Sequence, residues 1–156
     1  MTPYSQIDPR WGGDKIGPSI TTIHMAGCAL TALCNGANAI LGTDWKPPQI
    51  AHNANLFVAE KDGTVDILNW DKAAAFIGKI KHDGNDEFEN DAKIDLYLKD
   101  PNKFVILHVN NNLHFVLAWK KNILGRYMCL DSWDGKVKDV KNHYKNIKGA
   151  RYFSKI

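Results

Sequence analysis

Thr22-Ile-His-Met-Ala-Gly-Cys-Ala-Leu-Thr-Ala-Leu-Cys34 is the stretch on which the reading of this chain turns. Gly27 precedes Cys28, and an Ala- and Leu-rich segment runs on to Leu41, where Gly42 stops it. Ala29, Leu30, Ala32, Leu33, Ala37, Ile40 and Leu41 recur at helical spacing, which predicts a buried helix with Cys28 in its first turn. Unpartnered backbone N–H groups and the positive end of the helix dipole favour a thiolate over a thiol there. Gly27 adds no side chain that would obstruct approach to the sulfur. A free cysteine in an apolar helix is also a common small core residue, so the nucleophile reading needs partners elsewhere.

Those partners lie in the second half, where the hydrophobic period changes. Phe104-Val-Ile-Leu-His-Val109 and Leu113-His-Phe-Val-Leu-Ala-Trp119 read as strands joined by the turn Asn110-Asn-Asn112. A turn ending at Gly125 leads to a third strand, Arg126-Tyr-Met-Cys-Leu130, and Asp131-Ser-Trp-Asp-Gly135 turns again. A short helix over 140–146 and a last strand, Ala150-Arg-Tyr-Phe-Ser154, follow. His114 opens the second strand and Asp131 closes the third, and antiparallel neighbours bring one strand's start beside its partner's end. A thiolate nucleophile needs a base, and the base needs a third group to fix its tautomer. Cys28, His114 and Asp131 supply the three in that chain order. Each alone has a plainer reading: a satisfied polar His on a strand, an Asp forming a turn.

Upstream, Tyr4-Ser-Gln-Ile-Asp-Pro-Arg-Trp11 with Gly12-Gly13 is turn-rich. Pro47-Pro48 opens a short helix over 49–55. Leu56-Phe-Val-Ala59 is strand-like, and Asp62-Gly63 is a turn. A helix over 70–77 is capped by Asp66 or Asn69 and closed by Gly78. Residues 83–87 read as a loop within an acidic stretch to Asp91, a solvated face. Phe88, Ala92, Leu96 and Lys99 then share a helix face ending before Asp100-Pro101. Helices followed by an antiparallel sheet predict an α+β domain spanning residues 1–156, with no repeats or linker.

On these residues the sequence resembles the papain-like cysteine peptidases, within them the C39-like group related to the bacteriocin-leader-processing peptidase domains of ABC transporters. The Tyr4–Trp11 block, the Gly-Cys-Ala-Leu-Thr-Ala helix start, His114-Phe-Val-Leu and Asp131-Ser-Trp133 match that group's blocks in order and approximate spacing. The resemblance implies a papain-like fold, with an N-terminal helical part carrying the nucleophile packed on a C-terminal antiparallel sheet. It implies Cys28 as nucleophile, His114 as general base and then acid, Asp131 as orienting carboxylate, and Gln6 as an amide donor to the oxyanion hole. Many members have Pro after the Asp. Here Ser132-Trp133 follows, closer to the Asn-Ser-Trp of papain, where the Trp shields the His–Asn pair from water. Trp133 is expected to do likewise, Trp133 and Gly27 to border the substrate, and Asp134 to be the understudy of Asp131.

The remaining features narrow the function class. The net charge of +3 suits an anionic surface such as a cell wall and is too small to argue for nucleic acid. The resemblance implies a peptide, protein or peptidoglycan substrate; a cell-wall cross-bridge hydrolase and a non-catalytic interaction module on the same fold are the alternatives. Three cysteines imply no disulfide framework. No basic-then-apolar leader and no apolar run able to span a bilayer is visible, so localisation stays open: cytoplasmic, phage- or virion-associated, or exported within a larger protein. His24, Cys28, Cys34, His52, His108 and Cys129 are the available zinc ligands, but no C-x-x-C or H-x-x-x-H pair occurs, and neither metal nor other cofactor is expected. His108 reads as a core histidine, and Cys34 and Cys129 as packing residues.

Overall fold

The computed structural model describes residues 1–59 and 66–156. The helix expected after Gly27 is α2, Cys28–Leu41, preceded by a single turn, α1, Ile23–Ala26. Residues 30–38 of α2 are buried without a break, so the helix is enclosed on all sides rather than along one stripe. Gly42, at φ 67°, ends it in the left-handed conformation that glycine adopts without strain. α3 (Pro47–Ala51) and the small hairpin of β1 (Phe57–Ala59) with β2 (Asp66–Leu68) lead to α4 (Trp70–Ile77), which is capped by the Asn69 side chain. The turn expected at Asp62-Gly63 lies outside the described residues. There follow β3 (Ile80–Asp86), α5 (Asp91–Lys99), β4 (Lys103–Val109), β5 (His114–Lys121), β6 (Tyr127–Leu130), β7 (Val137–Asp139), α6 (Val140–His143) and β8 (Ile147–Lys155).

The second sheet has six antiparallel strands in the order β3-β8-β4-β5-β6-β7. One face carries Phe104, Ile106, Leu117 and Phe153 against α2 and α4; the other carries Val105, Leu107, Val116 and Tyr152 against Ile94 of α5. Both faces of the central strands are covered, which explains the near-continuous apolar runs of β4 and β5. Gly36 of α2 lies flat on Phe104: a Cβ there would come within 2.4 Å of the ring. Mixed helix and sheet in this arrangement is an α+β domain, as the sequence predicts.

Several local expectations are corrected. Residues 83–87 fall largely in β3, an edge strand whose charged residues conceal its period. Its carboxylates do not face solvent alone: Asp83 accepts from the Tyr97 and Ser154 hydroxyls at 2.8 and 3.0 Å, and Asp86 from the Tyr152 hydroxyl at 2.8 Å. α5 is turned about its axis relative to the expected face, and Phe88 lies outside it: Ala92 and Leu96 are exposed, and Ile94 is buried with Tyr97 and Leu98 packed beside its cluster. Strands β2 and β7, three residues each, had no visible signal.

Candidate active site

The sheet register assembles the site from strand ends. Val109 pairs with His114 where β4 turns into β5, and Asn110, Asn111 and Asn112 make that turn with positive φ at all three. Asparagine tolerates this region better than most residues, and hydrogen bonds of 2.9 and 2.7 Å between Asn111 and Asn146 tie the turn to the segment before β8. Leu117 stands opposite Leu130, so the chain leaving β6 at Asp131 lies alongside the entry to β5 at His114. His114 Nε2–H donates to Asp131 Oδ1 at 2.8 Å, and the ring shares its cleft with Cys28. One imidazole is thus fixed to the end of β6 in the cleft that the first turn of α2 lines.

Asp131 is fully buried, and every oxygen is occupied. Oδ1 also accepts the Trp133 backbone N–H at 3.0 Å; Oδ2 accepts Lys138 Nζ at 2.7 Å and the Tyr144 hydroxyl. Burial pushes this carboxyl up, but its bonds to His114, Lys138 and Tyr144 outweigh that and hold it well below the usual carboxylate range. Burial pulls His114 down, and its interactions with Asp131 and Cys28 outweigh that and raise it to about 9. An ionised Asp131 therefore faces a protonated His114 at neutral pH.

The expected roles divide as follows. Cys28 is half-buried, while Cys34 and Cys129 are fully buried, with burial pushing the Cys129 thiol up to about 12. Asp134 does not reach His114; it bonds Lys138 at 3.0 Å and so supports the lysine that holds Asp131. Trp133 lines the cleft, but its ring lies edge-on to His24 at 5.4 Å. The ring beside His114 is Tyr144, at 5.2 Å. Gly27 sits at the junction of α1 and α2, where a Cβ would come within 2.5 Å of the Ile23 carbonyl oxygen. Lys138 and Tyr144 escaped the sequence reading, because β7 and α6, which return them to Asp131, are only three and four residues long.

The Tyr4–Trp11 block is a brace across the site. Asn35 of α2 bonds the Tyr4 backbone N–H and carbonyl at 2.9 and 3.0 Å, and Gln6 N–H donates to the Ser132 carbonyl at 2.8 Å. The Gln6 side chain is buried in the cleft wall, with Nε2 donating to the His24 carbonyl at 3.0 Å and Oε1 without a partner among the described residues.

Cys28, His114 and Gln6 open onto one cleft of about 710 Å³. Exposed Met25, Ile67, Leu113 and Trp133 give it an apolar rim. His108, expected in the core, lies half-buried in this cleft, stacked on Phe115 at 4.0 Å. Among the described residues no three His, Cys, Asp or Glu side chains gather as a metal site, and no helix is long and apolar enough to cross a membrane. The arrangement can hold a nucleophilic sulfur, a proton-transferring imidazole and an extended polymer in one place. Compared with known proteins, the chain matches no family model and no curated sequence.

Proposed function

We propose that this chain is a papain-like cysteine peptidase of the C39-like group, hydrolysing an amide bond through a thioester on Cys28. The observation that carries the reading is His114 bonded to a buried, ionised Asp131 in the cleft that Cys28 also lines. In this mechanism the Cys28 sulfur attacks the carbonyl carbon, and the negative charge passes to the carbonyl oxygen. Gln6 and the Cys28 backbone N–H stabilise that oxyanion. His114 gives its proton to the leaving amine, then takes one from the water that hydrolyses the thioester. Tyr144 and the apolar rim limit water around the pair, and Lys138 keeps Asp131 charged. The net charge of +3 favours the narrower version of this reading, a hydrolase of anionic cell-wall peptide cross-bridges.

Brief alkylation with iodoacetamide near neutral pH followed by peptide mapping tests the nucleophile. Cys28 should label far faster than Cys34 and Cys129, which burial shields. Cys28→Ala should abolish cleavage in protein and cell-wall peptide libraries read by mass spectrometry, with the fold intact. Equal labelling of the three thiols, or turnover by Cys28→Ala at the wild-type rate, would overturn the mechanism. If both forms bind a partner and neither cleaves, the chain is an interaction module.

A further inference from the structure

The wall of the cleft contains a charge the mechanism does not use. Arg151 of β8 lines the cleft and is only 8% exposed. Ile106 pairs with Arg151 and His108 with Gly149, so Arg151 and His108 stand diagonally on one face of the sheet. Phe115 pairs with His108, and the Arg151 guanidinium lies over its ring at 5.5 Å. Nη1 donates to the Ala150 and Asp86 carbonyls at 3.1 and 3.4 Å and meets Glu87 at 3.3 Å. Nε is buried without a partner, and Nη2 makes no hydrogen bond among the described residues. The unbonded edge of the guanidinium is therefore the Nε–Nη2 edge, the parallel pair of N–H groups that matches the two oxygens of a carboxylate.

Leaving such an edge unsatisfied in a buried position is costly unless something fills it. Glu87 does not: it touches the other nitrogen, and its side chain is 70% exposed, so this ion pair is weak and screened. His108 repeats the pattern. Its Nε2–H donates to the Asn112 carbonyl at 2.8 Å, which leaves Nδ1 as a buried acceptor with no donor. Neither atom is open to solvent, so a side-chain shift on binding must uncover them; one peptide residue can then answer both, a carboxylate for Arg151 and a backbone N–H for His108.

We propose that Arg151, His108 and Phe115 form a subsite for a carboxylate carried by the peptide substrate, making the protein selective for acidic peptides. This rests on the reading of the cleft as a peptide-binding cleft. The carboxylate can come from an acidic side chain or from a free chain terminus, and the test separates them.

The test uses the Cys28→Ala protein, which needs no turnover, and follows cleft amides by NMR during titration with three probes. These are acetyl-Ala-Glu-Ala-amide, acetyl-Ala-Gln-Ala-amide and acetyl-Ala-Gln-Ala with a free carboxyl. A carboxylate probe should bind about tenfold tighter than the neutral amide, and the tighter of the two acids names the source. Arg151→Met, which keeps a long apolar stem on Phe115, should erase the preference, and Arg151→Lys should restore part of it. Should Arg151→Met not fold, Glu87→Gln decides: it removes a neighbouring negative charge that repels a carboxylate on the free edge, and affinity for the acidic probe should rise about two- to fivefold. Equal binding of acid and amide probes, a preference that survives Arg151→Met, or no gain in Glu87→Gln would overturn the subsite. Fast Cys28 labelling without acid preference removes the subsite alone; acid preference with an inert Cys28 removes the peptidase reading alone.

Discussion

His114 ties chemistry to stability at the scale of single residues. Folding raises its pKa from the ordinary 6.5 to about 9, so the folded state holds this proton more tightly than the unfolded chain does. The stability this contributes is complete below pH 6.5 and is lost as pH climbs through about 9. Asp131 behaves in the opposite sense: it is held below its ordinary 3.8, and its contribution is present above that pH and lost on acidification. Activity should therefore fall along an alkaline limb near pH 9. Asp131→Asn should move that limb to lower pH and flatten the loss of melting temperature above neutrality; a limb that stays in place would exclude Asp131 as the orienting group. Gln6→Ala should lower kcat by about 10²–10³ with KM nearly unchanged, since an oxyanion donor acts mainly in the transition state. Iodoacetamide labelling of Cys28 should be unaffected, and steady-state kinetics beside the labelling assay distinguishes this from a structural glutamine. Cys28, His114 and Asp131 were legible because each sits where an element begins or ends. Tyr144 and Lys138 were not, because their meeting with Asp131 depends on a chain reversal without any periodic signal.

At the scale of elements, the helix–sheet contact is set by a residue that intrinsic propensity would exchange. Alanine is the better helix former by about 1 kcal/mol, yet Gly36→Ala should destabilise the protein by about 1–3 kcal/mol. The added methyl meets Phe104, which cannot yield because it is stacked on Phe153 at 4.7 Å. Denaturant melts of Gly36→Ala should reveal the loss, and adding Phe104→Leu should recover part of it by making room. Sequence periodicity found α2, β4 and β5, whose apolar residues recur at the spacing of a helix or fill a strand buried on both faces. It missed β3 because an edge strand needs charge to resist pairing, and His82-Asp83-Gly84-Asn85-Asp86 carries no alternation at all. The phase of α5 was misread for a related reason: a helix with one fully buried residue, Ile94, offers too narrow a stripe to locate.

For the whole molecule, the Tyr4–Trp11 brace couples the two halves that share the site. Asn35→Leu would leave the Tyr4 backbone N–H and carbonyl without the partners they now have in α2. A loss of about 1–3 kcal/mol in chemical denaturation is expected. A fall in kcat should accompany it, because Gln6 follows closely on the released segment; unchanged kcat would mean the brace serves stability alone. The α+β class could be foreseen from the order of helical and strand periods, whereas the strand order could not, since nothing local indicates that β8 inserts between β3 and β4. That insertion has a consequence for how the protein comes into being. A ribosome delivers β8 after every other described strand, so the sheet waits for its middle while its edges are already made. Cys28, His114 and Asp131 all emerge earlier, yet the surface that aligns them has a gap until residues 147–155 arrive. A fragment released before that point would lack the sheet's interior rather than its margin. Among the described strands the last one made is thus the one on which the alignment of the cleft waits.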